Sequence, residues 1–172
     1  KLGLPRKNIW VTDIKGLVYE GRTELMDPDK AVYAQATGQR TLAEAIDGAD
    51  VFLGLSAGGV LKPEMVARMA ARPLVFALAN PIPEITPEEV MKVRNDAIMA
   101  TGRTDYPNQV NNVLCFPYIF RGALDCGATS ITNSMEIAAV HAIADLAQAE
   151  QNEEVAAAYA GQHLAFGPQY LI

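Results

Sequence analysis

Four stretches of the chain are continuous apolar runs rather than alternating ones: Ile9-Trp10-Val11, Val51-Phe52-Leu53-Gly54-Leu55, Leu74-Val75-Phe76-Ala77-Leu78-Ala79 and Ala97-Ile98-Met99-Ala100. Strands of a parallel sheet read this way, because helices on both faces leave neither side to water. Between the runs lie segments with helix punctuation. Thr41 caps Leu42-Ala43-Glu44-Ala45-Ile46, with Glu44 at the reciprocal capping-box position and Gly48 closing the turn. Lys62 to Met69 reads as a second helix, and Thr86-Pro87-Glu88-Glu89 starts a third with proline at its first position. Residues 113–127, 134–150 and 153–164 carry the 3.6-residue period of helices. The alternation predicts an α/β fold, a doubly wound parallel sheet of Rossmann-like type followed by C-terminal helices.

The segment Ile9 to Gly16 ends in Asp13 and a tight turn, and reads as the second strand of a dinucleotide-binding unit. In such a unit a glycine fingerprint follows the first strand, and an acid about 20 positions on receives the ribose hydroxyls. Lys1-Leu2-Gly3-Leu4-Pro5 reads as the end of the intervening helix, closed by glycine and then proline. The expectation is therefore a partial domain over residues 1–172, incomplete at the N-terminus, with the first strand and the fingerprint upstream of Lys1. The plain alternative for Asp13 is a turn former before Gly16. The stretch holding Gly21, Arg22, Asp27, Pro28, Asp29 and Lys30 is too rich in turn residues for one element and reads as a functional loop, in which Pro28 can open a short helix.

Composition narrows the partners. Half of the 172 residues are hydrophobic, ample for one domain with a sizeable core. The net charge is −6 and no basic stripe is present, so nucleic acid is not expected as a partner. No apolar run is long enough to span a bilayer, and the basic start is not followed by a signal-like segment, so no membrane association is expected either. Cys115 and Cys126 fall in an apolar helical region and make no disulfide framework, which suits a cytoplasmic location.

Ligands of open parallel sheets bind beyond the carboxyl ends of the strands. Here those positions are Asp13, the loop from Ser56 through Gly58 to Gly59, Asn80, and Arg103 onward. The small residues of the Ser56–Gly59 loop let a ribose approach the backbone, or simply form a tight turn. Proline after Asn80 favours an extended conformation that aims its amide past the strand, where it can pair with a carboxamide or carboxylate without adding charge; a turn asparagine is the alternative. Asn111-Asn112 reads as the start of the next helix, where free N–H groups favour an anion, with one asparagine serving as the cap. His141 and His163 lie on helical segments without a carboxylate at metal-ligand spacing and read as structural or surface residues.

Thr12-Asp13-Ile14-Lys15-Gly16-Leu17-Val18 with Gly21-Arg22, then Gly54 to Gly59, then Phe76-Ala77-Leu78-Ala79-Asn80-Pro81, then Gly102-Arg103 to Asn111-Asn112 resemble, in that order, the cofactor-binding domain of malic enzymes. The likeness covers nearly the whole chain. The last stretch is similar to the bacterial form, including the large enzymes that carry a phosphotransacetylase-like module. The resemblance implies an oxidoreductase that oxidatively decarboxylates L-malate to pyruvate and CO2 while reducing NADP or NAD, with Mg2+ or Mn2+ holding the 2-hydroxy acid. It places Asn80 at the nicotinamide side or the substrate, and Asn112 at the substrate carboxylate with Asn111 as second candidate. The family's catalytic tyrosine and lysine and its metal-binding carboxylates are expected upstream of Lys1, so no catalytic residue and no metal ligand is assigned within this chain, which alone is expected to be inactive. The implied partners are that N-terminal part, a C-terminal phosphotransacetylase-like domain and further copies in a homo-oligomer.

Between the two cofactors the signals conflict. An acid at the strand end favours an unphosphorylated ribose, whereas Lys15, Arg22 and Lys30 are cations within reach of a 2′-phosphate. The resemblance favours NADP, because NADP-linked malic enzymes can retain the strand-end acid and meet the phosphate with a lysine further along, about where Lys30 falls. Two other readings stay open: the cofactor domain of another amino-acid or hydroxy-acid dehydrogenase, with its own catalytic residues upstream, and a nucleotide-sensing module that binds cofactor without turnover.

Overall fold

The computed structural model describes residues 2–111, 113–150, 153–158 and 166–167. Its first segment holds one helical turn and a short hairpin. Residues 2–5 are not helical, Gly3 takes φ +92°, and Arg6–Asn8 form one 3-10 turn. Thr12–Asp13 (β1) then pairs antiparallel with Gly16–Leu17 (β2), so among the described residues this segment is a tight hairpin outside the parallel sheet. Two residues force the reversal. The Asp13 carboxylate accepts the Lys15 N–H at 2.8 Å, an Asx turn. Gly16 takes φ +94°, where any Cβ would collide with the Arg40 carbonyl oxygen. That same carbonyl accepts the Leu17 N–H at 2.7 Å, which fastens the hairpin to the segment leading into the next capped helix.

Asp27 caps Pro28–Ala31 (α1), so Pro28 does open a short helix. Thr41 and Glu44 form the capping box of Leu42–Ala45 (α2). Val51–Gly54 (β3), Leu74–Ala77 (β4) and Ile98–Thr101 (β5) make a parallel sheet in the order β3-β4-β5, with Val51, Leu74 and Ile98 in register. Pro63–Val66 (α3) and Pro87–Met91 (α4) lie in the crossovers, the latter behind the Thr86–Glu89 capping box. The α/β organisation is the one the apolar runs predict.

The register sends Phe52, Val75 and Met99 to one face, where Val75 and Ala77 join Ile46, Leu61, Val66, Met69, Ile85 and Val90 in the buried cluster. Helices α2, α3 and α4 thus cover that face. The other face departs from the expectation of burial on both sides: Val51 is 49% and Leu53 57% exposed. Both side chains lie on the face opposite the cluster that α2, α3 and α4 cover.

Residues 113–117 are turns rather than helix, because Pro117 lacks an N–H and is accommodated at a helix start. Tyr118–Asp125 (α5) and Asn133–Gln148 (α6) follow, and Glu153–Ala158 (α7) begins the last periodic stretch. The remainder of that stretch, with His163, lies outside the described residues, while His141 is exposed on α6. Cys115 and Cys126 are free thiols. Among the described residues no helix is long and apolar enough to cross a membrane.

Gly16→Ala should destabilise the protein by about 1–3 kcal/mol, through the positive φ and the collision with Arg40. Gly38→Ala, where nothing lies within 4 Å of the added carbon, should stay within about 0.5 kcal/mol. Urea-unfolding midpoints of the two variants check the pair; equal midpoints would show that the hairpin does not need Gly16.

Candidate functional site

Asp13 is the hub of an ionic cluster. The Arg22 guanidinium donates to both of its oxygens at 2.6 and 2.7 Å, and Lys30 Nζ donates to Oδ2 at 3.0 Å. Arg22 is buried, and its remaining donors go to backbone carbonyls: Nη1 to Gly16 and Leu17, each at 3.1 Å, and Nε to Glu24 at 3.0 Å. It is therefore a structural cation with its donors engaged, and reading it as a phosphate contact is corrected by its burial. Lys30 is held differently. Its Nζ also donates to the Leu25 carbonyl at 2.7 Å, and its backbone N–H is capped by Asp27. Lys15 turns its exposed ammonium toward Glu24 at 3.6 Å. Burial raises the pKa of Asp13, but the hydrogen bonds from Arg22, Lys30 and the Lys15 N–H outweigh it and bring the group from 3.8 down to about 2.

The loops after β3 and β4 are joined by a residue that the sequence did not single out. Glu84 is fully buried; its Oε1 accepts the Ser56 N–H and its Oε2 the Ala79 N–H, both at 3.0 Å. Gly54, the last residue of β3, makes room for that carboxylate, since a Cβ there would overlap it. Gly58 likewise leaves space for Ile82, whose Cβ would stand 2.7 Å from an added carbon. Ser56, Gly58 and Asn80 are all exposed at this end of the sheet. The Asn80–Pro81 peptide is cis. The Asn80 amide makes one long hydrogen bond, 3.5 Å to the Leu78 carbonyl, and lies against Gly102 beyond β5.

The β5 end is tied into the same corner. Arg103 grips Asp105 with two hydrogen bonds of 2.8 and 2.6 Å and donates to the Pro81 carbonyl at 3.3 Å. Asn108, at φ +55°, donates to the Met99 carbonyl and accepts from the Thr101 N–H, which folds the loop back on the strand. Asn111 uses its side chain to accept the Val113 N–H at 2.9 Å. Because α5 starts only at Tyr118, the asparagine pair does not open that helix, and the helix-dipole reason for an anion there falls away. Asn112 lies outside the described residues.

Asp13, the Lys15 backbone and Lys30 are thus brought together, and Ser56, Gly58 and Asn80 share the carboxyl edge of the sheet. Glu84 was missed because it stands between Pro83 and Ile85, next to a capping box that accounts for its surroundings locally. The available signal was an acid placed in an apolar stretch. Among the described residues, no three His, Cys, Asp or Glu side chains are grouped to hold a metal ion.

Comparison with known proteins gives one family throughout. The profile described as malic enzyme, NAD binding domain, matches residues 4–159. The chain is 64% identical to an NAD-dependent malic enzyme of Rhizobium meliloti and 59% identical to an NADP-dependent malic enzyme of the same organism, each alignment covering 99% of this chain and 22% of the relative. It thus spans about a fifth of the length of these relatives. Among solved structures, the NAD-dependent malic enzyme of Thermotoga maritima superposes with a TM-score of 0.72 at 42% identity, over 81% of this chain and 38% of that one. The three-stranded parallel sheet with its helices is accordingly a Rossmann-type domain.

The depressed pKa of Asp13 has a sign that can be measured. Since the folded value of about 2 lies below the ordinary 3.8, the ionised carboxylate stabilises the fold fully above about pH 4, and this contribution is lost as pH falls toward 2. The shift corresponds to about 2 kcal/mol. The stability gap between wild type and Asp13→Asn should therefore shrink by about that amount between pH 4 and pH 2 in urea-unfolding series. A gap that stays constant over this window would contradict the cluster.

Proposed function

The chain belongs to the malic enzyme family, in its NAD-binding domain, and from that premise we propose that it supplies the cofactor site and part of the substrate site of an enzyme that oxidatively decarboxylates L-malate to pyruvate and CO2. The observation that carries this reading is the convergence of Ser56, Gly58 and Asn80 at the carboxyl edge of the parallel sheet, the edge where such sheets bind nucleotides. A nicotinamide cofactor, when bound, would supply the hydride acceptor. The protein's part is positional: Ser56 and Gly58 present backbone and a small surface to the cofactor ribose, and Asn80 offers a neutral amide to the nicotinamide side or the substrate. Asn112 is proposed to meet the substrate carboxylate, with Asn111, whose side-chain oxygen accepts the Val113 N–H, as the second candidate through its NH2. Among the described residues no three His, Cys, Asp or Glu side chains are grouped to hold the divalent cation that such an enzyme uses.

For the cofactor we favour NADP over NAD. Asp13 accepts four hydrogen bonds, two on each oxygen, which fills the acceptor sites of a carboxylate. A ribose hydroxyl can reach it only if a donor withdraws. Arg22 is buried and engaged with several carbonyls, whereas the Lys30 side chain is 30% exposed and its ammonium makes two of three bonds. A 2′-phosphate that draws Lys30 away both gains a charge-assisted contact and frees Oδ2. Lys15 adds a second cation beside the same turn.

The full-length protein should reduce NADP in the presence of L-malate and a divalent cation, read as absorbance of the reduced nicotinamide; no turnover would remove the reading. Lys30→Ala should raise KM for NADP about tenfold or more, the range of a charge-assisted hydrogen bond of roughly 1.5–3 kcal/mol, and leave KM for NAD nearly unchanged. Equal effects on both cofactors would refute the 2′-phosphate assignment. Asn112→Ala should weaken malate use roughly ten- to hundredfold with cofactor affinity little altered; unaltered malate kinetics would exclude Asn112 from the substrate site.

A further inference from the structure

We infer that Glu84 is a positioning residue for the cofactor site, one carboxylate that sets the loop after β3 and the loop after β4 in their working arrangement before cofactor arrives. The inference rests on the cofactor-site reading above and extends it to a residue that touches neither cofactor nor substrate. The last strand-end bond between β3 and β4 is the Leu78 N–H to the Gly54 carbonyl, at 3.1 Å. The next donors outward, Ser56 N–H on one loop and Ala79 N–H on the other, are taken by the two oxygens of Glu84 at 3.0 Å each. Ala79 immediately precedes Asn80, and the bond spans five residues, so Glu84 closes the Asn80–Pro83 turn upon itself while it reaches across to Ser56.

Three features make this a fitted arrangement rather than an incidental contact. Glu84 has no exposed surface, so its oxygens are unavailable to ligand and are aimed at backbone. Gly54 gives up its side chain to the space the carboxylate fills. Around the carboxylate the main chains are sewn together, with the Gly59 N–H on the Pro83 carbonyl at 3.0 Å and the Leu61 N–H on the Glu84 carbonyl at 3.1 Å. A carboxylate suits the task because it accepts on both oxygens; a glutamine would turn an NH2 toward one of two N–H donors, and an aspartate falls about one methylene short of spanning both. Ser56 and Asn80 are exposed beside these anchored amides, and a loss of anchoring is felt where a ligand needs fixed geometry.

The test uses the full-length protein. Wild type is first shown to bind NADPH and NADH and to oxidise malate; failure there overturns the cofactor-site reading itself, and this inference with it. In Glu84→Gln, Kd for NADPH and for NADH should each rise about tenfold or more, by the same factor, and KM for cofactor should rise more than KM for malate. This pattern separates Glu84 from Lys30, whose loss acts on the phosphorylated cofactor alone. Gly54→Ala, which displaces the carboxylate without removing it, should reproduce the effect. A folded Glu84→Gln with a lowered melting temperature but wild-type Kd and KM would overturn the inference, leaving Glu84 a packing residue. Where both variants fail to fold, amide exchange in the wild type decides: Ser56 and Ala79 amides protected in the cofactor-free protein support it, and protection that arises only on adding NADPH overturns it.

Discussion

A parallel sheet brings its carboxyl ends to one edge, and the backbone N–H groups that outrun the ladder there must find acceptors before the loops can hold a shape. Glu84 meets that constraint for two strands at once. Its oxygens accept from Ser56 and Ala79, residues in the loops that follow β3 and β4. An apolar side chain in its place would leave two buried or half-buried donors unpaired, at roughly 1–3 kcal/mol each. The arrangement in turn requires glycine at position 54, because the carboxylate stands where a Cβ would be. Residues 54, 56, 79 and 84 therefore depend on one another, and the exposed positions that flank them inherit their geometry from this corner.

The hairpin at Asp13 solves a related problem with opposite chemistry. Arg22 is a donor-only group enclosed by acceptors: the Asp13 carboxylate and the carbonyls of Gly16, Leu17 and Glu24. Its burial is tolerable because the donors are paired and the charge is balanced by Asp13. Lys30 then adds a second cation to the same carboxylate. The acid at the end of the turn is thus compensated twice over, and a negatively charged group approaching it meets a net positive cluster rather than bare repulsion.

The sheet was legible in the sequence because its strands are uninterrupted apolar runs, and α2 and α4 because their capping boxes are local in sequence. Thr41 with Glu44, and Thr86 with Glu89, need no tertiary knowledge to be read. What failed to show was what depends on distant partners. The tight turn after Asp13 was legible, yet the close approach of Gly16 to the Arg40 carbonyl was not. Residues 113–117 kept a helical period that Pro117 interrupts. The exposed strand-end positions Ser56, Gly58 and Asn80 follow from the rule that ligands of such sheets bind beyond the carboxyl ends of the strands. Glu84 does not, since its partner Ser56 lies 28 residues away.

The two carboxylates differ in how tightly their partners hold them. Glu84 is sealed, its donors are main-chain groups, and none can leave without breaking the ends of the sheet. Asp13 shares its oxygens between one immovable cation and one partly exposed cation, so its cluster has a single replaceable member in Lys30. NAD and NADP share the parts that a fixed strand-end loop would contact and differ by one phosphate on the adenosine ribose. On the proposed reading the backbone sets the common geometry, and discrimination between the two cofactors falls to Lys30, a side chain outside the strands.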